Sequence, residues 1–459
     1  MSAQQEDRGE AGRTGLSRDD VRVLCDRVLD LSQADHARVS VNSGWRGFTR
    51  TATNRITSAG GSSDVTVRVT SVFGRRIASV TTNQLDDTAL TRAVRDSETL
   101  ARLAPEDPEY LPELGPQEYS EPGGFYASTG QLTPEARANA VAPALEAARA
   151  AGTVAAGYID ARAGSRALAT SGGLFGFHSS TGVASTLTAR TPDGGSSGWA
   201  GDEANDWDRI ASDRIAADAV RKCNAGREPT ALEPGVYETV LEPTAVGMLM
   251  LRMRTAFSAR TADEGRSAFS RPGGGTLVGE QLFDSRVTIR SDPAAPNAET
   301  SPFSGDGLPT RADTWVENGV LRGLFSSRFW ADRQGVEPKP AAANVIMSGG
   351  DASVEDMIRS IRRGVLITRF WYIRPLNPRT LSYTGITRDG TFLIENGRVA
   401  RPVNNFRFNQ SLVELLEGVE MLGTPTRVAA GENSSVGVPI VVPALKVRAF
   451  NLSSVSEAI

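Results

Sequence analysis

Strand-like runs, strictly alternating between apolar and polar positions over Val65–Thr70, form two long blocks of this chain, and segments of helical spacing bracket each block. Ser17 precedes Val21, Val23, Leu24, Val28 and Leu29, most of which fall on one face of a helix capped by that serine. His36–Asn42 alternates and predicts a strand, and Arg46–Ile56 predicts a second. Gly60-Gly61 predicts a turn into Val65–Thr70, where alternation is strict, and Gly74-Arg75 a turn into Ile77–Thr81. Asp86–Leu103 has helical spacing and is closed by Pro105. After a proline- and carboxylate-rich connection, Thr133-Pro134 opens an alanine-rich helix running through Ala150. Val154–Arg162, Ser165–Thr170, Phe175–Ser180 and Ala184–Arg190 predict a second meander, and Asp206–Ala225 a closing helix. Antiparallel strands with flanking helices make this half an α+β domain ending near Arg227.

Residues 228–235 read as a linker. Val236–Leu241 is a strand stopped by Pro243, and Thr244 caps a helix carrying Val246, Met248, Leu249, Met250 and Met253. A hairpin is expected at Asn318-Gly319, a helix over Val354–Arg363, a short helix over Ser411–Val419, and final strands over Val436–Phe450. The densest stretch is Arg363–Leu412. There Val365–Ile373 reads as one buried strand, and Asn396-Gly397 joins Thr391–Glu395 to Arg398–Val403 as a type I′ hairpin. The expected division is a disordered tail over residues 1–18, an N-terminal α+β domain over 19–227 and a C-terminal β-rich domain over 228–459.

Composition narrows the function. The chain has 459 residues, with 50 basic against 54 acidic side chains and a formal charge of −4. That balance argues against a dedicated nucleic-acid binder. Two cysteines, Cys25 and Cys223, exclude a disulfide framework and suit a reducing compartment. The first eighteen residues lack the apolar core of a signal peptide, and no segment has the apolar length of a membrane span. The expected location is the cytoplasm.

Candidate chemistry is sparse. The two histidines, His36 and His178, stand in different predicted strands with no second histidine at ligand spacing, so a zinc site of the usual kind is not supported. Asp306 and Asp389 are the candidates for a hard-cation site, but each neighbours glycine and turn chemistry explains them equally well. No serine elbow and no phosphate loop is present. What stands out is a concentration of planar hydrogen-bonding heads around Arg363–Leu412: Arg369, Tyr372, Arg374, Arg388, Arg407 and Asn409. Such groups on strand ends suit the main chain and carboxylates of a peptide. The competing reading is solvated hairpin ends. Arg369 and Arg374 lie five apart, so in a regular strand only one faces a ligand. Tyr372 shares the face of Arg374, which favours that pair, unless Arg374 instead neutralises a buried carboxylate such as Asp389.

Taken together, Val65-Thr-Val-Arg-Val, Gly74-Arg-Arg-Ile-Ala-Ser, Gly307-Leu-Pro-Thr-Arg, Val316-Glu-Asn-Gly-Val-Leu-Arg-Gly, Ile394-Glu-Asn-Gly-Arg-Val, Arg401-Pro-Val and Pro443-Ala-Leu-Lys-Val resemble, in order and spacing, the TldD/PmbA family, also described as modulators of DNA gyrase. The resemblance covers about residues 20 to 450. It implies an N-terminal α+β domain and a C-terminal β-rich domain. It also implies a zinc peptidase branch, TldD, with an HExxxH helix and a later cysteine ligand, and a partner branch, TldE or PmbA, without them. Counting from Leu241-Glu-Pro and Phe269-Ser puts Leu251, Arg252 and Ala256 where the two histidines and the glutamate would stand, and counting back from Pro443 puts Ala429 or Ala430 at the cysteine. The chain therefore looks like a TldE-type subunit. By resemblance it carries no metal and no catalytic residue of its own, and it partners a TldD-like chain that cleaves small or unfolded peptides. A stand-alone hydrolase with a non-classical site and a gyrase-binding regulator are the alternatives.

Overall fold

Strand β1 (His36–Ala52) runs unbroken for seventeen residues and pairs along its length with β2 (Arg55–Phe73) and β4 (Val154–Thr170). The computed structural model describes residues 15–433 and 435–456. The tail expected over residues 1–18 therefore lies, up to position 14, outside the described residues. Ser17 caps α1 (Arg18–Asp30), accepting from the Asp20 N–H.

The expected breaks at residues 43–45 and at Gly60-Gly61 are corrected: the chain stays extended through both. Gly44 lies opposite Gly164, where a Cβ would come within 2.5 Å of the Ala163 carbonyl oxygen. The glycine there serves close strand approach, not chain reversal. The reversal is at Thr53-Asn54, both at positive φ (50° and 59°), as a type I′ turn needs. Likewise β4 and β5 (Phe175–Arg190) are each one long strand. With β3 (Arg76–Thr82) and β6 (Ser197–Ala204) they form a sheet in the order β3-β2-β1-β4-β5-β6.

Alternation divides this sheet's two faces. On one, Val39, Val41, Val67 and Val69 pack under α1 and α2 (Asp87–Leu103), which contribute Val21, Leu24, Val28, Leu90 and Val94. Further along, α3 (Pro134–Ala150) and α4 (Ser212–Ala225) cover Ala155, Leu187 and Ala189. The other face carries Arg46, Phe48 and Arg50 from β1 and, opposite them in register, Arg162, Asp160 and Tyr158 from β4.

The second half holds two sheets. A nine-stranded sheet follows the order β9-β10-β13-β14-β7-β8-β11-β12, with Val419–Leu422 paired beside β14. Its strands are β7 (Gly235–Leu241), β8 (Arg363–Ile367), β9 (Phe370–Asn377), β10 (Ser382–Thr387), β11 (Thr391–Glu395), β12 (Arg398–Pro402), β13 (Phe406–Ser411) and β14 (Leu445–Val455). A sheet of six short strands lies between Ile289 and Val442. Helix α5 (Pro243–Met253) is buried along most of its length, with Pro243 at its first turn and Glu242 as the N-cap in place of Thr244. Phe370, Phe408 and Phe450 form an aromatic knot, ring centroids 4.7–5.5 Å apart.

One reading of the central stretch is corrected. Val365–Ile373 is not one strand but two, split at Thr368-Arg369. β8 sits inside the sheet, parallel to β7 and antiparallel to β11, whereas β9 leaves for the far edge to pair with β10. Among the described residues no helix is long and apolar enough to cross a membrane.

Candidate functional site

The split between β8 and β9 sends Arg369 and Arg374 to different places. Arg369, 6% exposed, lies between the rings of Trp199 (4.3 Å to its centroid) and Trp371 (5.1 Å). Its Nη1 donates to Asp389 Oδ2 at 2.8 Å, and the other carboxylate oxygen accepts from Ser197 Oγ at 2.7 Å. Asp389 sits at φ 58° in the turn after β10, a conformation aspartate tolerates. Burial lowers the guanidinium's pKa and the Asp389 charge opposes that shift. Ser197 and Trp199 belong to β6, so this pair joins the first sheet to the nine-stranded one. Asp389, offered from sequence as a cation ligand or as the partner of Arg374, is the partner of Arg369.

Arg374 is near the surface and pairs with Glu432 at 3.2 Å. Glu432 Oε1 also accepts from Arg252 Nη2 (2.8 Å) and from the Ile373 N–H (2.8 Å). Tyr372, at φ 56°, lies in an irregularity of the β9–β10 register between Trp371 and Arg374. Its ring lies against the Arg374 guanidinium, 4.0 Å from Cζ to the centroid. Arg388 stacks on Trp371 at 5.0 Å. In register, Arg374 lies opposite Thr384 and Thr384 opposite Asn409, with Arg407 two residues before Asn409. Arg374, Asn409 and Arg407 therefore share one outward face. Five of the six sequence candidates are thus wholly or partly exposed and Arg369 alone is internal.

Two openings border this cluster. One, of about 610 Å³, has the first sheet's Arg46, Arg50, Tyr158 and Thr186 as its floor and Glu432 in its wall. The other, of about 510 Å³, opens beside Ala256, Tyr383 and the turn after β9. Sequence reasoning missed Arg46, Arg50, Asp160 and Glu432. The alternation of β1 does put Arg46 and Arg50 on one face, but nothing local to Glu432 signals its three partners.

The helix at which the resemblance places a metal can be tested against its surroundings. α5 packs on residues 428–430: a Cβ on Gly247 would lie 2.4 Å from Val428 Cγ2 and 3.4 Å from Ala430 Cβ. The side chains offered there are Leu251, Arg252, Ala256, Ala429 and Ala430. Aliphatic groups have no lone pairs, and a guanidinium has none to donate and repels a cation, so these residues do not fit zinc. Among the described residues no group of three or more His, Cys, Asp or Glu is placed to hold a metal.

An N-terminal α+β sheet domain thus meets a β-rich half, with Ser197 of the one bonded to Asp389 of the other. Residues 131–225 match the PmbA/TldA metallopeptidase central domain and residues 234–454 the PmbA/TldA metallopeptidase C-terminal domain. The chain belongs to the TldD/PmbA family. A metalloprotease of Methanothermobacter thermautotrophicus is 27% identical over 247 residues, 50% of this chain and 51% of that protein. A metalloprotease TldD homolog of Haemophilus influenzae is 24% identical over 190 residues, 37% and 39% of the two chains. The chain thus spans about half the length, or less, of these curated relatives. Its fold is similar to TldE of Thermococcus kodakarensis (TM-score 0.82, 18% identity, covering 94% of this chain and 99% of that one). It is also similar to a putative modulator of a DNA gyrase of Thermotoga maritima (TM-score 0.81, 18% identity, 94% and 99% covered).

Proposed function

We propose that this chain is a non-catalytic, TldE-like subunit of a heterodimeric metallopeptidase acting on small or unfolded peptides. Its partner is a TldD-like chain bearing HExxxH, in the cytoplasm. The observation that carries the reading is Arg252. It stands on the helix where the resemblance places a ligand-bearing motif, and it is held by Glu432, so the position is committed to an ion pair. Membership of a metallopeptidase family and likeness to a TldE fold support the same reading. In this role Tyr372, Arg374, Arg388, Arg407 and Asn409 line a face that holds the peptide, and Arg369 supports it from behind by fixing Trp371.

The test is co-expression with an HExxxH homologue, followed by co-purification and peptide hydrolysis. The expected outcome is a complex that cleaves peptide and a lone chain that neither cleaves nor retains zinc after dialysis. Turnover or about one zinc per chain from this chain alone, or failure to associate with the homologue, overturns the proposal.

A further inference from the structure

The groove of about 610 Å³ over the first sheet has an uneven charge budget. Two carboxylates at its margin are each fully engaged. Asp160, with no side-chain exposure, accepts from Arg46 Nε at 2.5 Å, Arg162 Nε at 3.0 Å and the Val436 N–H at 3.1 Å. Glu432 holds Arg252, Arg374 and the Ile373 N–H. Each carboxylate therefore neutralises one of the two guanidiniums it orients. Arg50 lines the same groove and is exposed, with no carboxylate within ion-pair distance among the described residues. The lining groups and their partners thus comprise five guanidiniums against two carboxylates. Tyr158, directly opposite Arg50 in the β1–β4 register and stacked with Phe48 at 6.0 Å, adds an aromatic floor.

We propose that this groove is a binding site for peptide segments bearing carboxylates, read by Arg50 and Arg46 on β1, while Glu432 in its wall is held by Arg374 on β9. The arrangement suits that class for three physical reasons. Arg46 is held by the buried Asp160, so little of its side-chain entropy is lost when a ligand is bound, and Arg50 brings a charge that no carboxylate of the groove neutralises. Their excess charge lies in a polar, open floor, so a ligand carboxylate gains charge-assisted hydrogen bonds without losing all its water. The floor is a sheet face on which Thr186 of β5 lies opposite Tyr158 of β4, and Tyr158 opposite Arg50, which admits an extended segment across the strands. The net charge of −4 over the whole chain makes this local excess a feature of the groove and not of the surface at large.

The inference rests on the reading of the chain as a peptide-handling subunit and names the class of peptide. Its test is fluorescence anisotropy with the full chain and two labelled peptides of equal length, one rich in glutamate and one rich in lysine, at low and high sodium chloride. The glutamate peptide is expected to bind, to weaken as salt rises and to outcompete the lysine peptide. Arg50→Glu is expected to weaken it roughly ten- to a hundredfold, with Arg50→Lys losing much less. Equal binding of the two peptides, no binding of either, or an Arg50→Glu variant that binds like the parent overturns the assignment. So does competition by inorganic phosphate or short single-stranded DNA at lower concentration than acidic peptide. Co-purification with the HExxxH homologue is measured on the same variant. Retained association with lost acidic-peptide binding supports the groove, whereas lost association in the parent chain defeats the subunit reading and leaves the peptide measurement to decide the groove independently.

Discussion

Arg369 and Arg374 begin with the same chemistry, five residues apart, each with one carboxylate partner and at least one aromatic ring, and they end in opposite roles. Arg369 and Asp389 are buried between two tryptophans, and Ser197 satisfies the second carboxylate oxygen. Arg374 is 44% exposed in its side chain and shares Glu432 with Arg252. Arg369 and Asp389 both belong to the nine-stranded half, and Ser197 and Trp199 of β6 close over them, so separating the two sheets would take the hydroxyl partner from the carboxylate and the ring from the guanidinium. A pair at a groove margin has water as an alternative partner and remains available to a ligand. Residue type and spacing do not distinguish the two; burial does.

The sharpest way to break this contrast is Asp389→Ala. It leaves Arg369 without a counter-charge between Trp199 and Trp371, and the expected loss is about 3–5 kcal/mol, read as a large fall in Tm or denaturant midpoint. A stability equal to that of the parent would remove the keystone role. An intermediate effect is expected where a titratable group is buried without a counter-charge. His178 is such a group: burial, and then the nearby Arg166 charge, pull its pKa from 6.5 to about 4, and its Nε2 has no hydrogen-bond partner. Between those values the unfolded chain takes up a proton that the folded chain refuses, so stability falls as pH drops from about 6.5 towards 4. His178→Leu is expected to flatten the pH dependence by up to about 1.4 kcal/mol per pH unit in that window. Parallel curves for parent and variant would show that His178 titrates normally. The smallest stability effect belongs to Arg374→Ala, within about 1 kcal/mol, while peptide capture by the assembled complex falls. A large drop in Tm with unchanged turnover would make Arg374 a structural residue and erase the contrast.

Much of the fold could be read from periodicity. The helices at Arg18–Asp30, Asp87–Leu103 and Pro134–Ala150 have caps and one-sided apolar spacing, and Asn318-Gly319 and Asn396-Gly397 do turn their hairpins. The errors have a shared cause. Glycine in a strand and glycine in a turn look alike locally, and Gly44 and Gly60 are needed because another backbone or ring lies against them. The division of Val365–Ile373 was hidden for a similar reason. Every residue in it suits a strand, and only the competing partners β7, β11 and β10 pull its halves to different positions in the sheet.

The candidate site divides in the same way. The sequence alone determined that the helix following Leu241 carries no histidine pair, because the two histidines stand at positions 36 and 178 and no shift of register brings them there. It also determined that arginine and asparagine gather between Arg363 and Leu412, and that Arg46 and Arg50 share a strand face, since those follow from composition and period-two geometry. Only the tertiary structure decided which arginine meets which carboxylate. Ser197 and Asp389 are 192 residues apart, and Glu432 lies 180 residues from Arg252. Pairing over such separations is set by how the sheets pack and by which groups that packing removes from water, and local sequence encodes neither.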